Sequence, residues 1–178
     1  MRRPVIILSL IVALSAAGCG YTTRSLIKPE YKTIDVENLE NKIQVAAEQD
    51  NLRMYRGYRP GMEVELTKAI IDRYIFDGNL KVVQNNGDLI LTTELIDFRR
   101  EPLRYDANDN IEEYRVKMVV NIALQDGKTG DVQWQEKGFS GETTYRVYGA
   151  GSTSENVAVS SAIQDTARRI VERTVEAW

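Results

Sequence analysis

The run Arg115 to Gln125 alternates without a break. Val116, Met118, Val120, Ile122 and Leu124 fall on one side of an extended chain, and Arg115, Lys117, Val119, Asn121, Ala123 and Gln125 on the other. A period of two does not suit a helix, so this segment is a strand with one buried face. Its flanks extend the constraint. Asp106 to Asn110 (Asp-Ala-Asn-Asp-Asn) reads as the tip of a long hairpin before it. Asp126-Gly127-Lys128-Thr129-Gly130 turns into a further strand with Val132 and Trp134 opposite Gln133 and Gln135. An apolar sheet face needs a second layer to cover it.

Two segments have the spacing to supply that layer. In Met62–Phe76 the residues Met62, Leu66, Ala69, Ile70 and Tyr74 recur at helical intervals, with Glu63, Glu65, Lys68, Asp72 and Arg73 on the wet side. Gly61 opens this helix, and Asp77-Gly78-Asn79 stops it in a left-handed turn. Near the C-terminus, Ser152-Thr153-Ser154-Glu155 reads as a capping box. The helix it opens carries Val159, Ile163, Ala167, Ile170 and Thr174 on one stripe. Tyr31–Glu37 alternates as a first strand, Leu80–Gln84 is a short strand, and Leu89–Phe98 begins as an apolar strand that turns charged at Arg99, Arg100 and Glu101. Gly141–Gly151 reads as a polar loop, and Asn38–Pro60 as a long functional loop. The order predicts an α+β two-layer sandwich, two helices on one face of a mixed, mostly antiparallel sheet of four to five strands. Its helix-linked strands are parallel, and its other face is open.

The first residues are an address. Arg2 and Arg3 precede an apolar run, Val5 to Ala17, the size of a secretory leader core and short of the roughly 20 residues that span a bilayer. Ala16, Ala17 and Gly18 are small enough for a signal peptidase, and Cys19, the single cysteine of the chain, follows them. This arrangement is similar to a bacterial lipobox, although Ala16 stands where leucine is usual. The expected division is a lipoprotein signal peptide at 1–18, a lipidated linker at 19–30 and one domain at 31–178. Each buried methylene of an acyl chain contributes about 0.8 kcal/mol, so several chains on Cys19 anchor the protein to a membrane.

Histidine is absent, and the only thiol is assigned to lipid. That removes the common zinc ligands, Ser-His-Asp and Cys-His catalysis and the usual general base. No metal or other cofactor is expected, and the chain is read as non-enzymatic. The formal charge of −3 becomes more negative when the leader takes Arg2 and Arg3 with it, which argues against nucleic acid as a partner.

Several residues together resemble one family. The lipobox runs into Cys19-Gly20-Tyr21, and Val36-Glu37-Asn38 is followed by Glu40-Asn41-Lys42. Gly61-Met62-Glu63-Val64-Glu65-Leu66-Thr67 opens the first helix, and Asp88-Leu89-Ile90-Leu91-Thr92 starts a strand ahead of the Asp-Gly-Lys-Thr-Gly turn. The pattern resembles the LptE family of lipopolysaccharide-assembly lipoproteins over essentially the whole mature chain. It implies a small α/β sandwich anchored at the outer membrane and facing the periplasm. There it would plug and help assemble an LptD-like β-barrel and contact lipopolysaccharide. The segment Asn38–Pro60 is longer than the family pattern. An auxiliary lipoprotein of another envelope lipid-transport system, or a pilotin-like chaperone, is the alternative.

Candidate lipopolysaccharide-binding residues cluster at the hairpin end: Arg99, Arg100, Arg104, Arg115 and Lys117. Guanidinium and ammonium groups suit lipid A phosphates. The competing arrangement pairs them across the strands with Glu101, Glu112 and Glu113. Arg53, Tyr55, Arg56, Tyr58 and Arg59 interleave cations and aromatics as a protein-contact or solvated loop does. Gly149-Ala150-Gly151 reads as a flexible loop in preference to a phosphate turn, and Asp106, Asn108 and Asp109 as a solvated turn in preference to a calcium site.

Overall fold

The computed structural model describes residues 27–43 and 59–176. The leader, Cys19 and Arg53–Tyr58 lie outside the described residues. The elements are β1 (Thr33–Val36), β2 (Glu40–Asn41), α1 (Met62–Asp77), β3 (Lys81–Val83), β4 (Leu89–Tyr105), β5 (Ile111–Asp126), β6 (Val132–Arg146) and α2 (Glu155–Glu176). They form one sheet in the order β3-β1-β4-β5-β6, with β2 also on β4, and both helices pack on the same face. The expected α+β sandwich is present, with six strands among the described residues. The additional strand is β2, two residues long, which has too little length to leave a periodic signal.

The helix-linked strands are parallel: β1 pairs β3 across the α1 crossover, and β1 and β2 run parallel to β4. The antiparallel pairings β4–β5 and β5–β6 are the long ones. Val116, Met118, Val120, Ile122 and Leu124 of β5 are all buried under the helices, as their alternation requires. Leu66, Ile70 and Tyr74 of α1 and Val159, Ile163, Ala167 and Ile170 of α2 close over them. Where the helices meet, the Tyr74 hydroxyl donates to Thr174 Oγ1 at 2.8 Å, and Thr174 donates to the Ile170 carbonyl at 2.9 Å. Both buried hydroxyls are thereby satisfied. Gly61 and Gly78 flank α1 with φ of 99° and 75°, and the Gly78 amide donates to the Tyr74 carbonyl, so both ends of this helix are where the sequence puts them.

Three local readings change. Gly141–Arg146 is strand: β6 runs unbroken to Arg146. Gly141 is glycine because α2 lies against it, and a Cβ there would stand 2.2 Å from Thr166 Oγ1 and 2.6 Å from the Thr166 Cα. The N-cap of α2 is Ser154, not Ser152, with the Val157 amide donating to Ser154 Oγ at 3.4 Å. Glu155 therefore does not fold back in a capping box and instead pairs with Arg100. Finally, the register of β4 shifts between Leu95 and Asp97. Leu89, Leu91 and Leu95 face the core before this bulge and Phe98 after it, so the side chains from Asp97 to Pro102 have changed face; the register shifts again between Pro102 and Arg104, which sets Arg104 opposite Glu113.

A polar network ties the opposite end of the sheet. Asp88 accepts from the amides of Lys32 and Thr33 and the Thr33 hydroxyl, and its other oxygen lies 3.0 Å from Lys128 Nζ. Asp126 accepts the Tyr31 hydroxyl at 2.8 Å and the amides of Lys128 and Thr129. Lys128 and these donors hold the Asp88 carboxyl well below its usual range, and Asp126 is lowered by its own donors.

Two outcomes follow from this packing. Gly141→Val should lower stability by about 1–3 kcal/mol, because the added side chain meets helix backbone that cannot yield, and urea denaturation would measure the loss. A depressed carboxyl stabilises the fold fully above its unfolded value, near pH 4, and the contribution is lost as pH falls toward its lowered value. The wild-type denaturation midpoint should accordingly fall more steeply below about pH 4 than that of Asp88→Asn.

Candidate functional site

The β4–β5–β6 register builds rows across the open face. Glu101 stands opposite Arg115 and then Thr144; Arg99 opposite Lys117 and then Glu142; Asp97 opposite Val119 and then Ser140. The ladder thus sets two cations, Arg99 and Lys117, directly across from each other, an arrangement that repels unless acids flank it. They do: Arg99 pairs with Asp97 at 2.6 Å and Glu101 at 3.4 Å on its own strand, and Arg115 lies 3.7 Å from Glu142 on β6. Arg104, further out, is 3.7 Å from Glu113. Lys117 sits half-buried among these groups and has no ion-pair partner among the described residues.

Arg100 is on the other side of the sheet. The β4 bulge turns it under the start of α2, where it pairs with Glu155 and lies 4.5 Å from the centroid of the Tyr114 ring. Tyr114 is itself stacked on Tyr145, its register partner, at 5.7 Å. Burial opposes the Arg100 charge, but the Tyr145 hydroxyl and Glu155 outweigh it, so the guanidinium is held more firmly protonated than usual. Arg100 is therefore a clamp between the hairpin and α2. The expected cluster is divided into Arg99, Arg115 and Lys117 together on the open face, Arg104 beside Glu113 nearer the tip, and Arg100 behind.

Internal pairing holds four of the five basic residues, but the acids are mostly not the expected ones. Asp97, Glu142 and Glu155 join Glu101 and Glu113; Asp97 lies on β4 just past the bulge, Glu142 on β6 and Glu155 on α2. The one available signal was the apolar spacing of β4, which changes from odd to even positions at Phe98. The tip is a closed turn. Asp106 accepts from the side chain and amide of Asn110, the amide of Asn108 and the Tyr148 hydroxyl, which together hold its carboxyl at about 2. Among the described residues no group of three or more acidic side chains is placed to hold a metal ion. Leu103, Tyr105, Val147 and Tyr148 are exposed on this end of the molecule. Gly149 and Gly151 adopt left-handed φ of 83° in the turn before α2, whose first-turn residue Glu155 gives that helix end a carboxylate of its own. Of the Arg53–Arg59 group only Arg59 is described, and it donates to Asn156 Oδ1 at 2.6 Å.

The family model of LptE, described as lipopolysaccharide-assembly, matches residues 31–176. The chain belongs to the LptE family. Its fold is shared with the hypothetical protein CT253 from Chlamydia trachomatis, at 11% identity and a TM-score of 0.51, over 81% of this chain and 95% of that one. The rare lipoprotein B from Shewanella oneidensis is similar at 16% identity and a TM-score of 0.44, over 80% of this chain and 93% of that one. A minor lipoprotein from Acinetobacter baumannii is similar at 16% identity and a TM-score of 0.46, over 80% and 90%. No curated protein sequence matches the chain. Within the LptE frame, the open face and the Arg100 clamp are separable by mutation. Arg100→Gln should cost about 1–3 kcal/mol by stranding Glu155 and uncovering Tyr114, whereas Lys117→Gln should change stability by no more than about 0.5 kcal/mol; paired urea titrations would show the difference.

Proposed function

We propose that this LptE-family protein is an outer-membrane lipoprotein that plugs and assists an LptD-like β-barrel and contacts lipopolysaccharide on the open face of its sheet. The observation that carries this reading is the match of residues 31–176 to the lipopolysaccharide-assembly family, combined with a sheet face whose charges interleave in rows. A lipid-facing surface excludes such rows, whereas the interior of a large barrel is polar and accommodates them. Among the described residues no helix is long and apolar enough to cross a membrane. Attachment then falls to Cys19, exposed as the first residue once the signal peptide 1–18 is removed and acylated to face the periplasm from the membrane. The protein does no chemistry in this scheme; it works by fitting a barrel wall and presenting cations.

Lys117 is the cation best suited to a lipid A phosphate. Its neighbour Arg99 is already held by Asp97 and Glu101, and Arg115, 3.7 Å from Glu142, adds positive potential beside it. A phosphate at Lys117 would meet a charge that no internal acid has claimed. Arg99, Arg115 and Arg104 are secondary contacts, and Arg100, turned away, is a support.

Lys117→Glu should weaken lipopolysaccharide capture in a pull-down by at least about tenfold while leaving the denaturation midpoint near the wild-type value. Undiminished capture would remove Lys117 from the site. A photocrosslinker at Asn121, in living cells, should trap one large β-barrel protein. Trapping of a secretin or an inner-membrane transporter would overturn the barrel assignment. Mass spectrometry of the mature N-terminus should find acylated Cys19, and Cys19→Ala should release the protein from the membrane fraction.

A further inference from the structure

The three most exposed large apolar side chains among the described residues all stand on α1: Phe76 with 79% of its surface exposed, Val64 with 68% and Ile75 with 65%. The buried stripe of this helix already accounts for its place in the fold, since Met62, Leu66, Ala69, Ile70 and Tyr74 pack into the core. At about 100° per residue the outer face is centred opposite Ile70, and it carries a row at every fourth position, Val64, Lys68, Asp72 and Phe76, all exposed. Ile71 and Ile75 flank the row and continue its apolar surface toward β3. Among the described residues neither Lys68 nor Asp72 is in an ion pair. Arg73 lies 5.2 Å from the centroid of the Phe76 ring and leaves most of that ring bare.

The row is its own complement. Val64 and Phe76 are equidistant from Ile70 along the helix, and so are Lys68 and Asp72. An antiparallel α1 from a second copy, related by a two-fold axis at the level of Ile70, therefore sets Lys68 against the other copy's Asp72 and Val64 against its Phe76. Symmetry then makes each contact twice. Rows of every fourth residue are also the ridges by which helices most commonly interlock. Glu65 stands at the border of the face, one turn before Lys68 on the same helix, so each ammonium would have a carboxylate from either copy within reach. Other occupants fit less well. A barrel lumen is polar and does not call for Val64, Ile75 and Phe76, and a lipid surface would have to accept Lys68 and Asp72 at the middle of the row.

We propose that the outer face of α1 is a homodimer surface, on which two copies of this chain pair their first helices antiparallel. Pairing removes from water the apolar side chains that the fold itself leaves bare. The helices cover one face of the sheet, and Arg99, Arg115 and Lys117 occupy the other, so the dimer and the lipopolysaccharide reading stand or fall separately. A helix of 16 residues is about 24 Å long, which makes the contact a small one and puts the expected dimer in the micromolar range.

The test follows the full chain in detergent by sedimentation velocity over about 1–200 µM, where the wild type should pass from monomer to dimer. Lys68→Asp sets acids against acids across the axis, and Asp72→Lys sets bases against bases. Each variant alone should therefore need at least about tenfold more protein to dimerise. Mixed together, the two variants are complementary at both positions, and a heterodimer should form near the wild-type concentration. Mixing changes neither chain, so recovery separates a lost contact from a damaged helix. Val64→Ser with Phe76→Ser should weaken pairing by at least about tenfold as well. A chain that stays monomeric across the range would overturn the proposal. So would a dimer indifferent to both charge reversals, as two copies sharing a micelle would be, or reversals that mixing does not rescue.

Discussion

The antiparallel pairing of β4 with β5 presents a continuous apolar surface on one side, and removing that surface from water requires both helices. Neither helix covers it alone: α1 supplies Leu66, Ile70 and Tyr74, α2 supplies Val159, Ile163 and Ile170, and the two meet at the Tyr74–Thr174 hydrogen bond. The close approach of α2 to β6 depends on the missing side chain of Gly141. Once these contacts are made, one face of the sheet is committed and the other is left to solvent or to a partner. The division of labour between a packed side and a presenting side thus follows from the period of β5.

The bulge at Leu95–Asp97 then decides which charges are presented. Without it, Arg100 would share a face with Arg115 and Lys117, and Arg99 would point into the helices. With it, Arg99 is opposite Lys117, and Arg100 is delivered to Glu155 and Tyr114. One inserted residue therefore both concentrates positive charge on the open face and fastens the root of the hairpin to the first turn of α2. A bulge costs ladder hydrogen bonds, and here the lost pairing is offset by a charge-assisted contact and an aromatic stack deeper in the structure.

Much of this architecture was legible because its signals are periodic and long. β5, α1 and the stripe of α2 carry residues whose spacing admits one reading, and Gly78 stops α1 for a local reason that sequence displays. The misread places are those where a residue's meaning is tertiary. Gly141 looks like a loop glycine until Thr166 is seen against it, and Ser152 looks like a cap until the chain turns at Gly149–Ser152. The basic cluster was found, but its division was not. The phase of a strand after a bulge can be read only from where its next apolar residue lies, and Phe98 is a single such mark among charged residues. Glu142 and Glu155 were out of reach for a different reason: they are distant in sequence and come to Arg115 and Arg100 only through β6 pairing and the seating of α2.

The interleaving of charge bears on what the open face can touch. A face of uniform positive sign would attract any polyanion at long range, and its affinity would fall steeply with salt. Here Asp97 and Glu101 pair with Arg99, and Glu142 stands 3.7 Å from Arg115, so the distant field is small, and the chain as a whole is acidic. What remains is local: one ammonium, at Lys117, with the Arg99 guanidinium opposite it held by its own acids. An anion gains from such a site only when it arrives within contact distance and in register with the rows. Under the proposed function, such a face would hold a phosphate already brought to it by a lipid seated in a barrel; it is poorly suited to collecting free polyanions from solution. Under that function, the acidic excess would act as a filter on the same surface that presents the cations.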